Sequence, residues 1–197
     1  PRCNAPSELN SWHQPIRKPK PSRHMTYVTH TSLDLGHYEI DLHKGLREDE
    51  IYNWFMENSD KCGIDTDPLG LLDKLVACGH AYENYLDGKD AHGNTIQYLR
   101  NITLLAGGGV RQHLILLLAG QHLSADLFID LCRNIENLFF CYLITREPTK
   151  NFERTFVRWA RVLRTVTEQE DLAIFITNNL HKDMASRASA FDFAFGE

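Results

Sequence analysis

The chain has 197 residues, a mass of 22.7 kDa, a net charge of −5 and a pI near 6.1. Its 43% hydrophobic and 24% charged residues exclude a wholly disordered chain, a collagen-like fibre and a disulfide-dense miniprotein. The acidic balance also excludes polyanion binding by bulk charge, so any contact with nucleic acid has to come from a local patch.

Residues 1–47 differ from the rest. They hold five of the seven prolines and carry a charge of +3, which leaves −8 on the remainder. Pro15-Ile16-Arg17-Lys18-Pro19-Lys20-Pro21 has the composition of a polyproline-like segment. It is either a basic arm that touches phosphate or an acidic partner, or a solvated connector. Tyr27 to Tyr38 is weakly patterned and expected to pack as an extended cover. Pro1-Arg2-Cys3-Asn4-Ala5-Pro6 has neither an initiator Met nor an apolar run, so a secretory signal is not expected and a fragment or trimmed product is. The expected division is therefore an irregular basic extension or linker over 1–47 and a helical domain over 48–197.

From residue 48 the apolar spacing is helical. Glu48 to Asn58 places Ile51, Trp54, Phe55 and Asn58 at 0, 3, 4 and 7. Asp67-Pro68 starts the next helix, an acid at the N-cap and proline in the first turn, followed by Leu72, Leu75, Val76, Gly79, Tyr82 and Leu86. A third spans Ile96 to Leu105 and is broken by Gly107-Gly108-Gly109. Val110 to Ala119 is a fourth, stopped by Gly120. Its run Leu114 to Ala119 falls far short of the about 20 apolar residues of a membrane span, so it is expected to be buried. Ser124 caps a fifth helix, where Phe128, Leu131, Cys132, Ile135, Leu138, Phe139, Tyr142 and Leu143 make one face. Ile129, Phe140 and Ile144 are apolar on the other side, which predicts a central helix contacted from several directions. Pro148 ends it. A sixth runs from about Asn151 to Val166. Thr167-Glu168-Gln169-Glu170 reads as a capping box for a seventh that reaches roughly Ala190. The fold class is all-α, an array of about seven helices.

The sixth helix is the most informative surface. At 100° per residue, Lys150, Arg154, Arg158, Arg161 and Arg164 lie within an arc of about 120°. Phe152, Phe156, Trp159, Leu163 and Val166 occupy the opposite side. Residues 146–164 carry six basic side chains against Glu147 and Glu153. Arginines at regular rise can meet successive phosphates; the alternative is a solvated face paired with Glu168, Glu170 and Asp171. Elsewhere the chemistry is sparse. Gly107-Gly108-Gly109 lacks the lysine and hydroxyl of a phosphate loop. His80 and Glu83 stand one turn apart but without partner glutamates, and His113 and His122 flank the most apolar helix as core or cap residues. The five cysteines, Cys3, Cys62, Cys78, Cys132 and Cys141, contain no Cys-x-x-Cys pair, so a reduced cytoplasmic compartment is expected and a zinc site is not. No catalytic residue, cofactor or metal is expected.

Asp130-Leu131-Cys132-Arg133-Asn134-Ile135-Glu136-Asn137-Leu138-Phe139-Phe140, then Tyr142-Leu143-Ile144-Thr145, then Arg146-Glu147-Pro148-Thr149-Lys150-Asn151-Phe152-Glu153-Arg154-Thr155-Phe156, resembles the helical part of GmrSD-type restriction proteins. In that family a helix with an Ile-Glu centre leads through an Arg/Pro-Thr-Asn turn into a second helix. Glu50 to Phe55, Leu72 to Leu75 with Gly79 to Tyr82, and His113 to Ala119 resemble the family's upstream helices, the last without its proline. Members join such helices to an Asp-Gly-Gln-Gln-Arg sensor domain and often to a His-Asn-His-type nuclease. Neither motif occurs here. The resemblance thus implies a non-catalytic helical scaffold in a modification-dependent restriction or phage-defence system, with DNA and flanking sensor and nuclease domains as partners. The alternative is a protein–protein or homo-oligomerising helical domain, with Phe191-Asp192-Phe193-Ala194-Phe195 as its anchor or simply as a docked C-terminus.

Overall fold

Asp67 and Pro68 start the first long helix as their chemistry requires: the Asp67 carboxylate accepts a hydrogen bond from the Gly70 N–H at 2.9 Å, and proline takes a first-turn position with no N–H to lose. The computed structural model describes residue 53, residues 56–105 and residues 110–196. The extension 1–47, most of the helix expected over Glu48 to Asn58 and the Gly107-Gly108-Gly109 break lie outside the described residues.

In chain order the elements are a single turn α1 (Ser59–Cys62), α2 (Pro68–Leu86), α3 (Gln97–Leu105), α4 (His113–Ala119), α5 (Ala125–Ile144) and α6 (Thr149–Leu163). Then α7 (Gln169–Phe175), a π-helix (Ile176–His181) and α8 (Lys182–Ala185) follow without a break, and α9 (Ala188–Gly196) comes last. Taking that rod as one helix and leaving aside the single turn, seven helices are present among the described residues, in the expected all-α class. The β-type pairing seen there is an isolated antiparallel bridge between Lys89 and Thr95.

The arrangement is built around α4. All seven of its residues are buried, so it has no outward side and must be enclosed. The packing partners are α2, α5 and α6. Its ends are closed locally: Leu114 N–H donates to Arg111 C=O at 3.1 Å, and Gly120 N–H to Leu116 C=O at 2.9 Å. Gly120 is the expected stop, and it sits close under α5: a Cβ there would stand 2.6 Å from Leu131 Cδ2, so the buried Leu131 side chain would have to shift.

α5 is the second organiser, packed on α3, α4, the π-helix, α7 and α9. Phe128, Leu131, Cys132, Ile135, Leu138, Phe139 and Tyr142 are buried as the spacing predicts, but Leu143, Ile129 and Phe140 are exposed. On α2 burial is confined to the second half, at Cys78, Ala81, Tyr82 and Tyr85, while Leu72 and Val76 of the expected stripe are exposed. The Thr167–Glu170 capping box does not form: α7 starts after an extended Glu168, with no side-chain cap bond. The π-helix and the break at Ser186 and Arg187 depart from the expected continuous seventh helix; two side chains of the π-helix make hydrogen bonds beside it. Asn179 Nδ2 donates to Phe175 C=O at 2.9 Å and His181 Nε2 to Asn134 Oδ1 at 3.0 Å.

An aromatic column runs through the centre. Phe139 meets His113 edge-on at 5.3 Å, Phe152 at 5.8 Å and Phe156 at 6.0 Å, and Tyr142 stacks on Phe152 at 4.2 Å. Each such ring is worth about 2–3 kcal/mol of burial plus up to about 1 kcal/mol for ring geometry. The column fixes how α6 is rotated about its own axis.

His113 is the one titratable side chain of α4, and its Nδ1 has no hydrogen-bond partner. Burial, reinforced by Arg111, pushes its pKa down to about 3 from an ordinary 6.5. The folded ring stays neutral where the unfolded ring takes up a proton, so its contribution is complete above pH 6.5 and lost as pH falls towards 3. We therefore expect about 2 kcal/mol more loss of unfolding free energy between pH 6.5 and pH 5 in the native chain than in His113→Leu. Urea titrations at the two pH values measure it, and equal losses would refute the assignment.

Candidate nucleic-acid interface

α6 divides as its sequence requires. Phe152, Phe156, Trp159, Ala160 and Leu163 are buried against α4 and α5, which turns the basic side outward. The five expected contact residues do not, however, form one open ridge. Arg154 and Arg158 are exposed, and neither has an ion-pair partner among the described residues. Arg161 and Arg164 are half-buried and already engaged in interactions of their own. Lys150 belongs to the first turn of α6, but its side chain lies outside the described residues. The wheel could not distinguish these cases, because it reports angle and not what lies over each residue.

The corner from α5 into α6 is set by a left-handed residue. Arg146 has φ 53°, and Glu147 N–H donates back to Tyr142 C=O at 2.9 Å, closing α5 in a Schellman-like turn. Pro148 then leads into α6 with extended backbone.

Behind this corner lies a polar network that links two stretches distant in sequence, 142–151 and 183–187. Tyr142 Oη donates to Asp183 Oδ2 at 2.6 Å. The Arg187 guanidinium lies 5.0 Å from the Tyr142 ring centre, with Nη1 3.4 Å from Glu147 Oε2 and Nε 3.3 Å from Asp183 Oδ2. Glu147 also accepts from Asn151 Nδ2 at 2.8 Å, within the first turn of α6. Burial, and then the hydrogen bond to Asp183, push the Tyr142 hydroxyl well above the usual tyrosine range, so it remains a donor. The network holds Glu147 partly buried, its carboxylate engaged by Arg187 and Asn151. Asp183 with Arg187 and Glu147 with Asn151 are i,i+4 pairs, but the contacts that join the two stretches span about 40 residues, which no spacing rule finds.

The remaining candidates are structural. His122 Nε2 lies 2.7 Å from Val166 C=O and so closes the end of the sixth helix region. His80 is exposed, and no three His, Cys, Asp or Glu side chains gather among the described residues. Cys78, Cys132 and Cys141 are buried free thiols, and burial raises the Cys132 pKa. No described helix is long and apolar enough to cross a membrane. At the C-terminal end Phe191 and Phe195 pack on Phe140, at 6.1 and 6.4 Å, so α9 is docked. Phe193 and Phe195 nevertheless remain 68% and 60% exposed.

No protein-family model matches this chain, and neither a curated protein nor a solved structure matches it.

The network predicts energetic coupling. Arg187→Met should lower unfolding stability by about 1–3 kcal/mol, since it strands two partly buried carboxylates. In a double-mutant cycle with Glu147→Gln by chemical denaturation, we expect a coupling of about 1 kcal/mol. Strict additivity would mean that the two residues do not act together.

Proposed function

We propose that this chain is a non-catalytic helical scaffold or regulatory module of a GmrSD-like modification-dependent restriction or phage-defence protein, touching DNA through the outer side of α6. The observation that carries the DNA contact is the orientation of that helix. Its aromatic side is locked into the core, and Arg154 and Arg158 stand exposed one turn apart on the other side. Their separation along the helix axis is about 6 Å, which suits successive phosphates of one strand. The family assignment is supported by the sequence resemblance, which runs through α5 and α6 and takes in the upstream segments Glu50 to Phe55, Leu72 to Tyr82 and His113 to Ala119. Sensor and nuclease domains are the partners it implies.

Such a contact is electrostatic, short and independent of base sequence. Fluorescence anisotropy with a labelled duplex should detect binding at low salt, with log K falling against log salt at a slope of about −2 to −3. Arg154→Ala with Arg158→Ala should remove most of that affinity and reduce the slope by about two. Absence of binding at low salt, or an unchanged affinity in the double variant, would overturn the DNA contact.

The exposure of Phe193 and Phe195 beside the exposed Phe140 favours a second reading, a module that pairs with another copy of itself through α9. It requires a dimer in light scattering that Phe193→Ser with Phe195→Ser converts to a monomer. A monomeric native chain at high concentration would eliminate it.

A further inference from the structure

We infer that Arg146 is a third phosphate contact, and that the DNA-binding surface is centred on the α5–α6 corner rather than spread along the whole of α6. The inference rests on the DNA contact proposed above and moves its centre.

Arg146 occupies a position whose backbone favours glycine. Its φ of 53° lies in the left-handed region, which non-glycine residues adopt only at a conformational penalty. No contact of its side chain within the described residues offsets that penalty; what offset there is comes from backbone hydrogen bonds that a glycine would make equally well. The side chain is exposed, and it makes no hydrogen bond or ion pair there. The backbone alone does the structural work of the corner, through Arg146 N–H to Leu143 C=O at 3.2 Å and Glu147 N–H to Tyr142 C=O at 2.9 Å. A glycine would perform both functions better. The guanidinium at this place therefore has its use outside the chain.

The electrostatics of the corner agree. Glu147, the acid next to Arg146, is held by Arg187 and by Asn151 of α6. Only two residues separate Arg146 from α6, so its Cα lies within about 10 Å of the helix start. At the far end of the sixth helix region the two remaining arginines are differently disposed, since Arg161 and Arg164 are half-buried and engaged. Among the described side chains of the corner and of α6, the exposed arginines are thus Arg146, Arg154 and Arg158, and their centre is towards the head of α6. A phosphodiester backbone laid along that line meets three guanidinium groups without base contacts.

The test uses three variants of the full chain with the same labelled duplex. Arg146→Gly relieves the backbone and removes the charge: its Tm should rise by about 2–4 °C while its affinity at low salt falls about 3- to 10-fold and its salt slope shrinks by about one. Arg146→Gln keeps the side-chain bulk and the backbone penalty, and should lose the same affinity with Tm unchanged. Arg146→Lys should retain most of the affinity. A residue that merely closes the helix would not raise Tm and weaken binding in the same variant. If Arg146→Gly and Arg146→Gln bind like the native chain while the Arg154/Arg158 double variant does not, the corner assignment alone falls. If the double variant also binds normally, or the native chain does not bind, both fall.

Discussion

A helix with no outward side has to be surrounded, and α4 is such a helix. Seven consecutive buried residues expose no polar surface except at their ends, so the chain around them must supply apolar walls on every side. α2, α5 and α6 supply them. Those helices can therefore be amphipathic while α4 cannot, and their polar sides become the surface of the molecule. The basic character of α6's outer side is thus the reverse of its aromatic contribution to this enclosure.

The corner joining α5 to α6 carries two independent constraints. One is covalent, a left-handed residue and a proline within three positions. The other is the partly buried network of Tyr142, Glu147, Asp183 and Arg187, which ties the corner to the rod formed by α7, the π-helix and α8. Low dielectric strengthens these bonds and makes each costly to break singly. The direction in which α6 leaves α5 is consequently fixed from both sides, and so is the line along which its exposed arginines point.

Much of the helical plan was legible because it depends on local rules. The Asp67-Pro68 start, the Gly120 stop and the α5 stripe from Phe128 to Tyr142 follow from capping chemistry and from a period of 3.6. What failed was anything that depends on neighbours. Leu72 and Val76 have the spacing of a core stripe, but the described helices pack only along the second half of α2. Thr167 and Glu170 have the residue types of a capping box, but Glu168 takes the N-cap place. The candidate contact surface was legible as an angle on a wheel. Which arginines stand clear and which are drawn into other contacts was not, since that is decided by residues distant in sequence.

The wide turn at Ile176–His181 has a consequence for how this segment tolerates change in length. A π turn accommodates one residue more than an α turn. An insertion or deletion of one amino acid here would rotate everything downstream by about 100° about the rod. Asp183 and Arg187 reach Tyr142 only in the present phase, so the join between the C-terminal helices and the aromatic column is a matter of residue count as much as of side-chain identity.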